Sequence, residues 1–152
     1  MKNYVMTLLL TLLYSVAAFS QNGGDKIIGN YLVEYEGHQS KVKIFKYKDG
    51  YRVQNYWMKE PNHPDGTPVR DINNPDKSKR NTLMTEVVFV DKVIYKDGEW
   101  TDGQIYDPTS GKSYNVKMKF DDDKTLHLRA GVWGVYPKSI YWKKLQTATP
   151  EK

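Results

Sequence analysis

Four polar side chains of this 152-residue chain stand close together in sequence: Asp102, Tyr106, Asp107 and Lys112. A carboxylate, a phenol and an ammonium at the joined ends of two strands could hold a polar ligand. The backbone offers a competing explanation. Asp107-Pro108-Thr109-Ser110-Gly111 is a tight-turn sequence in which Pro sets φ, Asp accepts hydrogen bonds from turn amides and Gly takes the left-handed position. The turn alone requires that spacing, so the structural reading is preferred and Lys112 is expected in solvent. Arg129 alternates onto the face opposite Leu126 and Leu128. A polar interior would let it hold an anionic group bidentately; an apolar interior would put it outside. The alternation alone leaves both open.

Other reactive constellations are weaker. His38, His63 and His127 occur singly, with no pair at metal-ligand spacing. Asp71-Ile72-Asn73-Asn74-Pro75-Asp76 matches a calcium loop only at its first positions. It lacks the central Gly, and Thr82 stands where the bidentate Glu belongs. There is no Gly-x-Ser-x-Gly elbow and no supported Ser-x-x-Lys, and Ser78 and Ser110 have no evident base. Cysteine is absent, which excludes disulfides, thiol catalysis and zinc–thiolate sites. No cofactor or metal is expected, and the balance leans against an enzyme. Loop carboxylates acting as a pair keep a hydrolase-like activity as the third reading.

The elements that position these residues are strands. Apolar and polar residues alternate with period 2, and no helical stripe is sustained between the N-terminal apolar run and the C-terminus. Expected strands cover 27–36, 41–44, 51–57, 85–90, 92–96, 100–106, 113–120, 125–132 and 138–145. Asp49-Gly50, Asp97-Gly98 and Asp121-Asp122-Asp123-Lys124 mark turns between them. Consecutive strands joined by short turns predict an all-β chain: a small antiparallel up-and-down β-barrel of about eight strands. Lys59 to Leu83 breaks the pattern with Pro61, Pro64, Pro68 and Pro75, which forbid a central strand. One helical turn capped by Asn74 is expected over Pro75 to Arg80. Long loops of this kind carry function more often than short connections do.

The first 20 residues read as a signal peptide. Lys2 precedes an apolar run over Val5–Val16, and Ala17-Ala18-Phe19-Ser20 supplies small residues at −3 and −1. The run is too short for a spanning helix, so residues 21–152 are expected to be a single exported domain, periplasmic or secreted, with no stable membrane span. The net charge of +5 is spread over alternate strand positions such as Lys41, Lys43, Lys117 and Lys119. Solvated strand faces explain that spacing better than a nucleic-acid surface does, so no nucleic-acid partner is expected.

Several of these segments together carry a family resemblance. Trp100-x-Asp102-Gly103-x-Ile105-Tyr106-Asp107-Pro108-x-x-Gly111-Lys112-x-Tyr114, followed by Leu126-x-Leu128-Arg129-x-Gly131 and Tyr141-Trp142-Lys143, resembles the DUF2147 family of exported bacterial proteins. Upstream, Gly29-Asn30-Tyr31 resembles that family's opening Gly-x-Trp, and Glu60-Pro61-Asn62 with Asp65-Gly66-x-Pro68 and Asp71 to Asp76 resembles its central loop. The chain departs from the family pattern at Tyr31, at Ala130 and at Val135-Tyr136-Pro137-Lys138. The resemblance implies a lipocalin-like or calycin-like barrel and no established activity. It also suggests a cation, Lys143 or Arg129, packed over the Tyr31 ring to close the barrel base.

The chain holds 12 Tyr and 4 Trp. Rings on alternate strand positions can line a barrel cavity or fill it. The leading expectation is a binding protein for a small lipophilic or mixed apolar/polar molecule. Tyr51, Trp57, Trp100, Tyr106, Tyr114, Arg129 and Trp133 form the candidate ligand set near the mouth, with Lys59–Leu83 as a lid. The second reading is an envelope scaffold or protein-interaction module with a solid barrel and the long loop as contact surface; no particular protein partner is indicated.

Overall fold

A computed structural model describes residues 23–147; the expected signal peptide lies outside the described residues. Eight strands run in chain order: β1 (Gly29–Tyr35), β2 (His38–Tyr47), β3 (Gly50–Met58), β4 (Val88–Lys96), β5 (Glu99–Asp107), β6 (Lys112–Asp122), β7 (Thr125–Val132) and β8 (Val135–Lys144). Each pairs antiparallel with the next, and β8 returns to β1, closing an up-and-down barrel. The stretches 85–90 and 92–96, read separately from sequence, contribute to one strand, Val88–Lys96, in which a register irregularity against β3 around Asp91 and Lys92 lets Val90 and Val93 both face inward. The first strand begins at Gly29, since Ile27 belongs to a 3-10 turn, Asp25–Ile27, that runs beneath the barrel. In the long loop the helical turn covers Lys77–Lys79, and its cap is Asp76, whose carboxylate accepts from Ser78 N; Asn74 instead accepts from Asp76 N.

Burial settles the inside face. Leu126, Leu128 and Ala130 are buried while Arg129 is exposed and bonded to Glu99. The interior is therefore apolar and Arg129 lies outside. Packing is tightest at the end where β1, β3, β5 and β7 begin. There Trp100, Tyr31 and Ile27 are fully buried, and Tyr95 and Phe120 meet the Trp100 ring at 5.0 and 5.7 Å. Trp100 Nε1 donates to Gly24 O (3.2 Å), Tyr31 Oη to Ile27 O (2.7 Å) and Tyr51 Oη to Asp25 Oδ1 (2.7 Å). Gly24 has to be glycine, since a Cβ would lie 2.5 Å from the Tyr51 hydroxyl and 2.9 Å from the Tyr95 Cβ. The cation over Tyr31 is Lys144, 5.8 Å from the ring centroid, with its ammonium also donating to Lys26 O (2.5 Å). Neither Lys143 nor Arg129 serves, because both project outward from their strands.

Towards the opposite end burial falls off along the strands. On β6 it passes from Met118 and Val116 to half-buried Tyr114, and on β8 from Trp142 to half-buried Ile140 and exposed Lys138. This end is the mouth. The long connection between β3 and β4 leaves and rejoins the barrel there. It is held by specific contacts: Tyr106 Oη donates to Asp71 Oδ1 (2.6 Å), Asn74 Nδ2 donates to Asp71 Oδ2 (2.6 Å), and Asn73 Nδ2 donates to Thr109 O (2.9 Å). Asn55 Nδ2 donates to Met84 O (2.7 Å) at the loop's return. Burial and the neighbouring Asp71 carboxylate push the Tyr106 phenol above the usual tyrosine range, so it remains a donor throughout the ordinary pH range.

Two outcomes follow. Trp100→Ala removes the largest side chain of the base and leaves the Gly24 carbonyl without its donor. It should cost about 3–5 kcal/mol in urea unfolding. Tyr106→Phe leaves the buried Asp71 carboxylate short of one donor, and should cost about 1–3 kcal/mol. Limited proteolysis should then cut first within 59–87, while the barrel stays intact.

Candidate functional site

The seam between β1 and β8 is the weakest join of the barrel. β1 pairs with β2 along its whole length, from Gly29↔Ile44 to Tyr35↔His38, but with β8 only at Tyr31↔Lys144, Leu32↔Lys143 and Val33↔Trp142. Beyond Val33 the strands diverge. Pro137, which lacks a backbone donor, sits on the diverging part of β8 beside an irregularity in its pairing with β7. The divergence opens a cleft of about 330 Å³ lined by Leu32, Glu34 and Tyr35 from β1 and by Ser139, Ile140, Tyr141 and Lys143 from β8.

The cleft combines two chemistries. Leu32, Ile140 and the rings of Tyr35 and Tyr141 give apolar walls, while Glu34 and Lys143 bring opposite charges. Lys138 bonds Tyr35 Oη and lies over its ring, tying the open parts of the two strands together through side chains. Lys143 Nζ donates to Thr125 Oγ1 (2.8 Å). Trp142, between cleft residues on β8, is buried with an indole N–H that has no partner among the described residues; the other such atom is Asn55 Oδ1. Unpaired buried polar atoms are rare in folded proteins and ask for an explanation.

A polar chain runs along the outer face at the edge of the cleft. Asp121 Oδ1 lies 3.4 Å from His127 Nδ1, and His127 Nε2 lies 3.0 Å from Ser139 Oγ. The imidazole stacks on the Tyr141 ring at 4.5 Å. With its Nδ1 proton directed at the carboxylate, the imidazole would accept the Ser139 proton at Nε2. Sequence reasoning missed this set because the three residues come from three strands, and only the register of β6, β7 and β8 makes them neighbours. The cleft was missed for a related reason: nothing in local sequence says how far β1 and β8 stay paired.

The seven candidate residues read from sequence are dispersed. Tyr51 and Trp100 are core residues of the base. Trp57 lies beyond the β2–β3 bulge under the Lys41 ammonium, 4.5 Å from its ring centroid. Tyr106 anchors the long loop, Tyr114 is half-buried near the mouth opposite Ile105, and Arg129 is outside. Trp133 sits 96% exposed at the tip of the β7–β8 hairpin. Of the turn residues, Asp107 accepts from Thr109 N (3.0 Å) and Ser110 Oγ (2.8 Å), Gly111 has φ +69°, and Lys112 is exposed. Asp102 adopts φ +59° at a β-bulge and pairs with Lys96. Among the described residues no group of three or more His, Asp or Glu could hold a metal ion, and no helix is long and apolar enough to cross a membrane.

Comparison with known proteins agrees with this architecture. The sequence model of DUF2147, described as "Uncharacterized protein conserved in bacteria", matches residues 29–144. Those limits coincide with the first residue of β1 and the last of β8. The solved structure of HP1028 from Helicobacter pylori, described as belonging to the lipocalin family, superposes with a TM-score of 0.67 at 23% identity. That match covers 79% of this chain and 83% of the other. The likeness establishes a lipocalin-like fold. None of the curated proteins searched matches the chain.

Proposed function

The chain belongs to the DUF2147 family, and on that premise we propose that it is an exported binding protein taking a small amphiphilic molecule into the β1–β8 cleft. The observation that carries this reading is the early end of β1–β8 pairing and the cleft of about 330 Å³ it leaves. That volume falls at the lower end of the range typical for small-ligand sites. The apolar body of a ligand would pack on Leu32, Ile140 and the two tyrosine rings. A polar end would meet Glu34 or Lys143. Export rests on the Lys2-to-Ser20 leader pattern, and binding also draws on analogy with the lipocalin-like fold.

Leu32→Trp tests the reading by filling the cleft from a half-buried position outside the core cluster. Titration with anilinonaphthalene sulfonate, an amphiphilic probe, should show an affinity at least about tenfold weaker in the variant, with the melting temperature nearly retained. Equal affinity in both proteins would place binding elsewhere.

A second reading rests on a separate observation, the Asp121–His127–Ser139 chain at the edge of the same cleft. Its order is that of an acyl-transfer relay, in which a carboxylate orients an imidazole that takes the hydroxyl proton. On this reading a fluorophosphonate probe labels Ser139, and His127→Ala abolishes the labelling. Unlabelled wild-type protein leaves the chain as a cross-strand hydrogen-bond network and the binding reading standing alone.

A further inference from the structure

Three hairpins of the barrel turn through an Xaa-Gly pair with both residues at positive φ: Glu36-Gly37 (49° and 81°), Asp97-Gly98 (50° and 86°) and Trp133-Gly134 (51° and 80°). Two of them place an exposed carboxylate at the first position. The third places a tryptophan there, in a backbone region that bulky L-residues avoid. The ring gains nothing from the fold in return, since Trp133 is 96% exposed and its flanks Val132 and Val135 are 51% and 65% exposed. A Cβ added to Gly134 would meet no atom within 4 Å. An apolar side chain held out from the surface in a strained turn implies a partner outside the protein.

The charge around the tip says what kind. From Thr125 to Lys144 the hairpin carries no carboxylate, and its cation nearest the tip is Lys138, since Arg129 is paired with Glu99 and Lys143 and Lys144 lie at the base. Behind the tip, Lys117 lies 5.1 Å from the Tyr136 ring centroid and Lys138 lies 4.3 Å from that of Tyr35. The hairpin therefore presents an apolar point, and behind it stand two tyrosine–lysine pairs shared with β6 and β1. Tryptophan and tyrosine at the interface, with cations at the headgroups, is the distribution that a bilayer surface favours. A protein partner fits less well. It would need a contact on the order of 800 Å² a side, which three side chains on a convex turn do not supply, and Pro137 impairs strand addition along the β8 edge.

We propose that the β7–β8 hairpin is an interfacial anchor that seats the mouth end of the barrel on an anionic lipid bilayer, with Trp133 inserted among the headgroups. Lys138 and Lys117 supply the attraction, and Val132 and Val135 enter with the indole. The anchor does not depend on what the cleft holds.

The test compares wild-type protein, recovered after export, with Trp133→Asn. Asparagine tolerates the left-handed turn, so the variant should unfold no earlier than wild type. Vesicles of phosphatidylcholine alone and of phosphatidylcholine with phosphatidylglycerol serve as probes. Wild type should co-sediment with the anionic vesicles, far less with the neutral ones, and less as salt is raised. Trp133→Asn should bind the anionic vesicles at least about tenfold more weakly. The wild-type-minus-variant emission, which isolates Trp133, should shift to the blue on anionic vesicles. Three results each overturn the anchor: wild type left in the supernatant, equal binding by the variant, or a difference spectrum that stays that of an indole in water.

Discussion

The barrel depends on the docking of Gly24–Ile27 beneath its base. One turn of chain ties three strands at once: Trp100 on β5 donates to Gly24 O, Tyr51 on β3 to Asp25, and Tyr31 on β1 to Ile27 O. The Tyr51 hydroxyl and then the Lys46 ammonium hold the Asp25 carboxyl below the usual range. Burial pushes the Tyr31 and Tyr51 phenols up, with the Asp25 bond adding to the effect at Tyr51, so both stay protonated as donors. Burial likewise draws the Lys144 ammonium below the usual lysine range, an effect opposed by its bond to Lys26 O and its place between the Tyr31 and Phe120 rings. A barrel without disulfides needs a fixed end, and this polar-lined aromatic plug provides it.

That plug also explains how the seam survives on three residue pairs. Closing a sheet requires its first and last strands to meet, but not along their full length. Tyr31 and Lys144 are both a pair of the β1–β8 ladder and members of the plug, so the seam is held where packing is densest. Above Val33 the ladder is replaced by a side-chain contact between Lys138 and Tyr35. Side-chain ties leave room between strands that backbone ladders do not, and the cleft occupies that room.

Much of the architecture was legible in the sequence, because period-2 alternation and turn chemistry are local. Val116 and Met118 face in with Asn115 and Lys117 on the opposite side, and the Asp107–Gly111 turn forms from the Asp and Gly its geometry requires. What stayed illegible depends on contacts between distant strands. Arg129 could be placed only after Leu126 and Leu128 were seen to be buried. Lys144, rather than Lys143, covers Tyr31, because the choice turns on a one-residue register between β1 and β8. Trp100 and Trp133 look alike in sequence as strand-end tryptophans, yet one is fully buried and the other 96% exposed. Their difference is which end of the barrel each strand terminus reaches, and whether a chain segment crosses that end.

The two ends therefore obey different rules. At the base, every large ring has a partner, and a single added Cβ at Gly24 would not fit. At the mouth, tryptophan and two valines stand unpacked, and one of them occupies a costly backbone conformation. A domain is only marginally stable, so strain and exposed apolar surface persist where the remaining structure over-determines the fold. Here the surplus comes from the base, and it is spent along β8. That strand begins at the exposed hairpin tip, forms one wall of the cleft through Ser139, Ile140 and Tyr141, and ends with Trp142 buried and Lys144 in the plug. Rigidity at one end of β8 is what allows its other end to face outward.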